Sequence, residues 1–430
     1  MEKALKEHFI CLLKTEVVPA LGCTEPIAVA LAVAKSRELL GEAPLAVEVC
    51  VSPNILKNGM GVGVPGTGMV GLHIAAALGA CYGSSSRLLQ LLEGLSPEDV
   101  ERAKGMVVQK AVTISVKDGI DKLYIEATCR SAEHSSVAYI KGSHSNIVLT
   151  KKDGIVVDGV EEAILPTPVC PASVKPVPDI TFKQIYDFAV DASLEEIEFI
   201  LEGGEMNKRI SDEGLRGDYG LKLGKCIKSK MDTNMLKDDL LTHAIAVTTA
   251  ASDARMAGNQ LPAMSNSGSG NQGIAVMLPV VATAEKLRSS KEELARALVI
   301  SNLLSIHIKS QMGRLSALCG VSVAATAASC GIVYLFGGSF DQMTFAIKNM
   351  IGNITGMICD GAKVGCSLKV SSGVSACVNA ALLAIDNTCI QETDGIIVED
   401  VETTIRNLAQ LGSDGMVETD RMILDLMLKK

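Results

Sequence analysis

Three cysteines in the last third of the chain stand beside glycines: Cys319 in Leu318-Cys319-Gly320, Cys359 in Cys359-Asp360-Gly361, and Cys366 in Gly365-Cys366-Ser367. Glycine lets a backbone bend around a bulky inorganic group, and thiolates are the preferred ligands of iron–sulfur clusters. The spacings match neither a ferredoxin nor a zinc-finger pattern. Each cysteine taken singly also reads as a small buried hydrophobe, as do Cys50, Cys129, Cys330 and Cys377 in their apolar or strand-like runs. A further thiol, Cys23, lies in Leu21-Gly22-Cys23-Thr24-Glu25-Pro26, beside an expected helix start. Free N–H groups and the macrodipole there are expected to lower its pKa and suit it as a base or ligand. The plainer alternative is a cysteine packed under a helix.

Two loops add polar chemistry. Ser265-Asn266-Ser267-Gly268-Ser269-Gly270-Asn271-Gln272-Gly273 is too polar for a core yet is flanked by apolar segments. Its hydroxyls, amides and backbone N–H groups are those that hold a carboxylate or a developing oxyanion, although an ordinary turn has the same composition. Gly61-Val62-Gly63-Val64-Pro65-Gly66 matches G-x-G-x-x-G literally. No clear strand leads straight into it and no βαβ unit follows, so a dinucleotide fingerprint is disfavoured, and an anion-holding loop stays open as an alternative. The six histidines form no short metal-ligand spacing, and neither a G-x-S-x-G elbow nor a Walker A sequence is present.

Residues 5–18 read as an amphipathic helix. A second helix is expected from Thr24, as N-cap, to Gly41, followed by a strand over 45–52. Ser96-Pro97-Glu98-Asp99 marks another helix start. Between Val112 and Val157, β-branched alternation predicts a small antiparallel sheet. Leu165–Pro178 carries five prolines in fourteen residues, which predicts a linker. Beyond it the pattern is helical. The expected fold is α+β: an N-terminal α+β region over 1–165, a Pro-rich linker over 166–180, and a large all-helical C-terminal domain over 181–430. Helices within 5–40 are expected to be able to pack on the latter.

Composition narrows the function. A net charge of −9 over 430 residues argues against nucleic acid and anionic membrane surfaces as partners. The 13 cysteines are an odd count, and the charged N-terminus does not read as a signal peptide. Reduced thiols in a cytoplasmic protein follow as the expectation. The uncharged stretches 256–284 and 315–340 are rich in Gly, Ser, Ala or Pro and read as buried helices rather than spans. The 48% hydrophobic content is compatible with a homodimer.

Five ordered motifs carry a more specific signal: GCTEP at Gly22–Pro26, NGMGVGVPGTG at Asn58–Gly68, SNSGSGNQGI at Ser265–Ile274, ALCG at Ala317–Gly320, and CDGAKVGC at Cys359–Cys366. Together they resemble the L-cysteine desulfidase family, which is related to the α-chain of bacterial iron–sulfur L-serine dehydratases. The resemblance implies a [4Fe–4S] lyase that works without pyridoxal phosphate on a small amino acid. It maps the cluster ligands to Cys319, Cys359 and Cys366, leaving one iron open, and makes Cys23 the proton-abstracting base. Asn266, Ser269 and Asn271 are then expected to hold the substrate carboxylate or amino group. Lys309 and Arg314, expected on one helix with Cys319, would neutralise cluster or substrate. The gap from Cys359 to Cys366 is shorter than in the serine dehydratase pattern, and Cys359-Asp360-Gly361 replaces its CDP. Both departures favour the desulfidase branch. L-serine dehydration by the same machinery and a non-enzymatic redox sensor are the alternatives. A pyridoxal-phosphate lyase is disfavoured by the helical C-terminal half.

Overall fold

The β-branched stretch and the helical stretch segregate as their periods dictate. The computed structural model describes residues 2–165, 180–313 and 315–429. Arg314 and residues 166–179, which hold the proline-rich stretch, lie outside the described residues. The first part runs through α1 (Lys3–Glu16), β1 (Pro19–Ala20), α2 (Thr24–Leu40), β2 (Ala46–Val51), α3 (Pro53–Gly59), α4 (Leu72–Cys81) and α5 (Pro97–Val108). Five strands follow: β3 (Val112–Val116), β4 (Tyr124–Arg130), β5 (Ser135–Lys141), β6 (Ile147–Lys152) and β7 (Ile155–Gly159). The second part holds α6 (Phe182–Asp191), α7 (Leu194–Ile197), α8 (Ile200–Arg216), α9 (Leu223–Asp232), α10 (Leu240–Met256), β8 (Ala263–Met264), α11 (Gly270–Leu287) and α12 (Lys291–Met312). It ends with α13 (Gly320–Leu335), α14 (Phe340–Ile354), α15 (Cys366–Ile385), α16 (Val401–Gln410) and α17 (Val417–Leu428).

The fold is α+β, as expected, with one refinement. The sheet has six strands in the order β3-β2-β4-β5-β6-β7. β2 joins it and pairs parallel with β3 through Val47↔Val112, so the sheet is mixed rather than purely antiparallel. α2 lies over β4 and β5 beside α4, and its residues Thr24–Ala34 are buried without a break. A helix that is apolar all round must be enclosed by other elements. Ser96 caps α5 through a reciprocal box with Asp99, as its sequence signature predicts. Cys23 rather than Thr24 is the N-cap of α2.

The helical part is built around α13, which packs against α11, α12, α14 and α15. Its sequence is Ala-, Ser- and Gly-rich, and Val321–Val333 is buried continuously. Small side chains let the neighbouring helices close in on every side. α1 belongs to this core, contributing Phe9 and Leu13. Among the described residues one helix, α15, is long and apolar enough to cross a membrane, and half of that span is buried.

A short ladder joins the two parts and places the site. β1 pairs antiparallel with β8 through Pro19↔Met264 and Ala20↔Ala263. The Ser265 N–H donates to the Val18 carbonyl at 2.9 Å and the Ser267 N–H to that of Glu16 at 3.0 Å. The segment entering Cys23 is thereby held against the segment entering the Ser/Asn loop.

Candidate active site

Four helices begin at one cavity. Cys23 is the N-cap of α2, Ser269 of α11 and Cys319 of α13, and Cys366 is the first residue of α15. All four residues line a cavity of roughly 100 Å³ together with Cys359, Glu25, Asn58, Arg255, Asn271, Gln272 and Lys369. Each helix start carries about half a positive charge, although the first N–H groups of α15 are spent on the carbonyls of Lys363, Val364 and Gly365. Four of them around one small space make it a strong attractor for anions. A wider cleft of about 580 Å³ lies between α1 and α12. It contains the His307–Glu402 pair but no thiol, so the chemistry points to the smaller space.

The cysteine side of the cavity is fixed by backbone. Leu318 and Ile358 form an antiparallel bridge. The Cys319 N–H donates to the Met357 carbonyl at 2.9 Å, and the Cys359 N–H to the Ala317 carbonyl at 2.6 Å. These bonds hold the two cysteines side by side although forty residues separate them. Cys366 returns to the same place by a tight turn, its N–H donating to the Lys363 carbonyl at 2.9 Å. Burial, followed by the nearby Cys359, pushes the Cys319 thiol up to about 12. The described cysteines form no disulfides. Lys369, on the next turn of α15, donates to the Ile358 carbonyl at 2.8 Å and pairs with Asp360.

Opposite these stands Cys23. Its thiol donates to Glu25 Oε2 at 3.1 Å, as does the Thr24 hydroxyl. Asn58 Nδ2 donates to the other oxygen, Oε1, at 3.0 Å. The buried His144 ring, carried by the β5–β6 turn, lies 3.8 Å from Oε1. Burial works to raise the Glu25 carboxyl, but these partners, His144 foremost, outweigh it and keep it ionised, well below the usual range. The Cys23 thiol moves the other way. Burial pushes it well above its ordinary value, the Glu25 charge adds to this, and the Arg255 guanidinium pulls back. The lowered pKa expected from a helix tip is therefore not found, because desolvation of a fully enclosed thiolate exceeds what a helix end can supply.

The polar loop divides its labour. Ser269 and Asn271 face the cavity. Asn266 does not line it. Its amide donates to Asn302 Oδ1 at 3.0 Å and accepts from Gln272, Ser267 and Ser305, which holds the loop together. Lys309 and Cys319 do not share a helix. α12 stops at Gly313, and Cys319 opens the next helix. Lys309 is buried but does not line the cavity; Lys369 and Arg255 are the cations that do. Arg314 lies outside the described residues. The glycine-rich loop is not an anion cradle, because its amides are spent internally. Gly63 N–H donates to Met256 at 3.1 Å, Val64 to Met69 at 2.9 Å and Gly66 to Gly258 at 3.4 Å.

Sequence reasoning missed Glu25, Asn58, His144, Arg255, Gln272 and Lys369. Glu25, Asn58 and Gln272 sit inside motifs already singled out. Asp253 and Arg255 were detectable as a pair of charges in an otherwise small and apolar helix.

The profile described as serine dehydratase alpha chain matches residues 86–425. That span contains the Ser/Asn loop and Cys319, Cys359 and Cys366, while Cys23, Glu25 and Asn58 precede it. Over its whole length the chain is 48% identical, across 437 residues, to a UPF0597 protein of Bacteroides fragilis, with 100% of both chains covered. A UPF0597 protein of Oleidesulfovibrio alaskensis is 51% identical over 426 residues, 98% of each chain. One of Aeromonas hydrophila is 48% identical over 428 residues, 100% of this chain and 97% of the relative. The chain belongs to the serine dehydratase alpha chain family.

Proposed function

We propose that this protein is an L-cysteine desulfidase, a lyase that converts L-cysteine and water to pyruvate, ammonium, hydrosulfide and a proton. One observation carries the reading: Cys319, Cys359, Cys366, Cys23 and the Ser269–Asn271 turn share a single cavity. Membership of a serine dehydratase family supports lyase chemistry on a small amino acid.

The donor set fits a [4Fe–4S] cluster. Three thiols meet at one wall, Cys319 and Cys366 at helix starts, and each would take a different iron. Among the described residues no three ligating side chains close on a single point as a lone ion requires. Bound there, the cluster would supply a Lewis-acidic iron with an open position.

The chain's own residues do the rest. Cys23 is the base for the Cα proton. Glu25 Oε2, 3.1 Å from its sulfur, accepts the thiol hydrogen bond and orients the sulfur, and Asn58 donates to the other oxygen of that carboxylate. Ser269 and Asn271 orient the substrate. The helix starts and Arg255 favour an anionic guest. Loss of the Cα proton and of the β-sulfur as hydrosulfide leaves aminoacrylate, which hydrolyses to pyruvate and ammonium. The test is anaerobic purification with iron and sulfide analysis, then assays for sulfide and pyruvate on L-cysteine and L-serine. Cysteine-dependent sulfide release supports the reading. Pyruvate from serine alone makes it a dehydratase, and a cluster that yields neither product makes it a sensor.

A further inference from the structure

Resting on the lyase reading, we infer that Arg255, Asn58 and Gln272 form the subsite for the α-amino-acid zwitterion, Arg255 taking the carboxylate and the two amide oxygens the ammonium. Arg255 is 3% exposed. Among the described residues no carboxylate forms an ion pair with it. Two of its five N–H groups have partners: Nη2 donates to the Gly22 carbonyl at 2.8 Å and Nη1 to Asn271 Oδ1 at 3.2 Å. Its Nε is buried without a partner. Its place in the last turn of α10 gives it partial compensation from the helix dipole, not a counterion. A buried guanidinium left in that state is costly unless an anion arrives.

The guanidinium is also held rigidly. Gly22, in the left-handed region at φ +71°, turns its carbonyl onto Nη2. Gly270 opens α11 directly over the group, where a Cβ would lie 2.2 Å from Nε. Arg255 therefore stitches the Gly22–Pro26 motif to the Ser/Asn loop, and its fork is preorganised for a planar anion.

Two acceptors complete the set. Asn58 Oδ1 and Gln272 Oε1 are buried without partners and belong to residues that line the cavity. Neither amide can be flipped freely. Asn58 Nδ2 is committed to Glu25, and Gln272 Nε2 to Asn266 Oδ1 at 3.1 Å and Ser305 Oγ at 3.0 Å. What remains open is one cationic donor and two neutral acceptors, the complement of a carboxylate and an ammonium on one carbon. A carboxylic acid without the amine, or an amine without the acid, fills only half of it.

The experiment measures binding, so it does not depend on turnover. L-alanine, which has no leaving group, is titrated calorimetrically into the cluster-loaded protein beside L-alaninamide and propionate. L-alanine binds, and each half-molecule binds at least tenfold more weakly. Arg255→Met weakens L-alanine about 100-fold with iron content unchanged, and Arg255→Lys is intermediate and guards against misfolding of the Met variant. In turnover the loss appears in KM more than in kcat. Equal binding of L-alanine and L-alaninamide to the wild-type protein overturns the inference. So does an Arg255→Met protein that binds alanine normally, or one that loses its iron, which would make the guanidinium a counterion of the cluster. Absence of sulfide release by the loaded wild type refutes the lyase reading independently.

Discussion

The Cys23 thiol points its hydrogen at Glu25 Oε2 across 3.1 Å, two residues along the same chain and inside the first turn of α2. A thiol and a carboxylate so close cannot comfortably both be anionic in a dry site. The carboxylate keeps the charge because Asn58 donates to its other oxygen and the His144 ring lies 3.8 Å from it. The resting state is therefore a protonated sulfur beside an ionised acid. In that arrangement the proposed base rests protonated, and it can act only after this proton has left the sulfur.

Replacing Cys23 with Ala or Ser is expected to lower turnover of L-cysteine by about 10²–10⁴-fold, the usual worth of a positioned base. Iron and sulfide content should stay near the wild-type value, because Cys23 is not one of the three proposed ligands. Full activity in Cys23→Ala would assign the base elsewhere.

His144 is the contribution of the β-sheet region to this chain of groups. His144→Ala removes the ring that lies 3.8 Å from Glu25 Oε1, and the Glu25 carboxyl should then rise from its depressed position as burial takes over. The expected result is a fall in kcat with little change in KM, together with an altered pH profile of kcat/KM. His144→Gln, which keeps a hydrogen-bond donor, should recover part of the loss. A variant with the wild-type profile would reduce His144 to packing.

Cys319→Ala, Cys359→Ala and Cys366→Ala should each leave less than one full cluster per chain by iron analysis, while far-ultraviolet circular dichroism stays helical. Cys330→Ala is the control. Cys330 is enclosed in α13, its thiol donates to the Met343 carbonyl at 3.5 Å, and it should alter stability but not iron content.

The sequence was legible where period and punctuation act alone. The helix over 24–40, the Ser96 cap and the strands after Val112 followed from local chemistry. Strand direction did not, because alternation with period 2 reads the same either way, and so the parallel β2–β3 pair was hidden. The three proposed ligand cysteines and Cys23 were singled out by motif, but their convergence on one cavity depends on the Leu318–Ile358 bridge and the β1–β8 ladder, which are long-range. Asn266 looked like a ligand group because it is polar; its hydrogen bonds are consumed by Asn302, Gln272 and Ser305. Arg255 was passed over because a single cation in a helix usually faces water.

Glu285 sets an acid limit on the helical part. The His243 ring, 3.3 Å away, does most to lower its carboxyl; burial opposes this and Lys208 adds to it, leaving it at about 2. A glutamate unfolds with a value of about 4.3. A depressed carboxyl contributes fully above that value and loses its contribution as pH falls from about 4 through about 2. The pair is partly exposed, so solvent screening holds the effect to at most about 1 kcal/mol. Glu285→Gln should therefore be less stable than wild type to urea at neutral pH, and the gap should close on acidification.

Lys57 and Asp420 decide whether the last helix supports the site. Lys57 is 1% exposed and pairs with Asp420 of α17, and its ammonium also lies 3.4 Å from the Cys359 carbonyl. Asn54 donates to the second Asp420 oxygen at 2.5 Å. The C-terminal helix thus braces α3 directly behind a proposed cluster ligand. Removing one partner of a buried pair strands the other charge and costs about 3–5 kcal/mol, whereas replacing both with apolar groups can be nearly neutral. Asp420→Ala should accordingly lower the urea midpoint of the cluster-free protein sharply, and Lys57→Met combined with Asp420→Leu should restore most of it. If the brace also positions Cys359, the stable double variant will still lose iron faster than wild type on exposure to a chelator. Equal iron-loss rates would confine the pair to holding the fold.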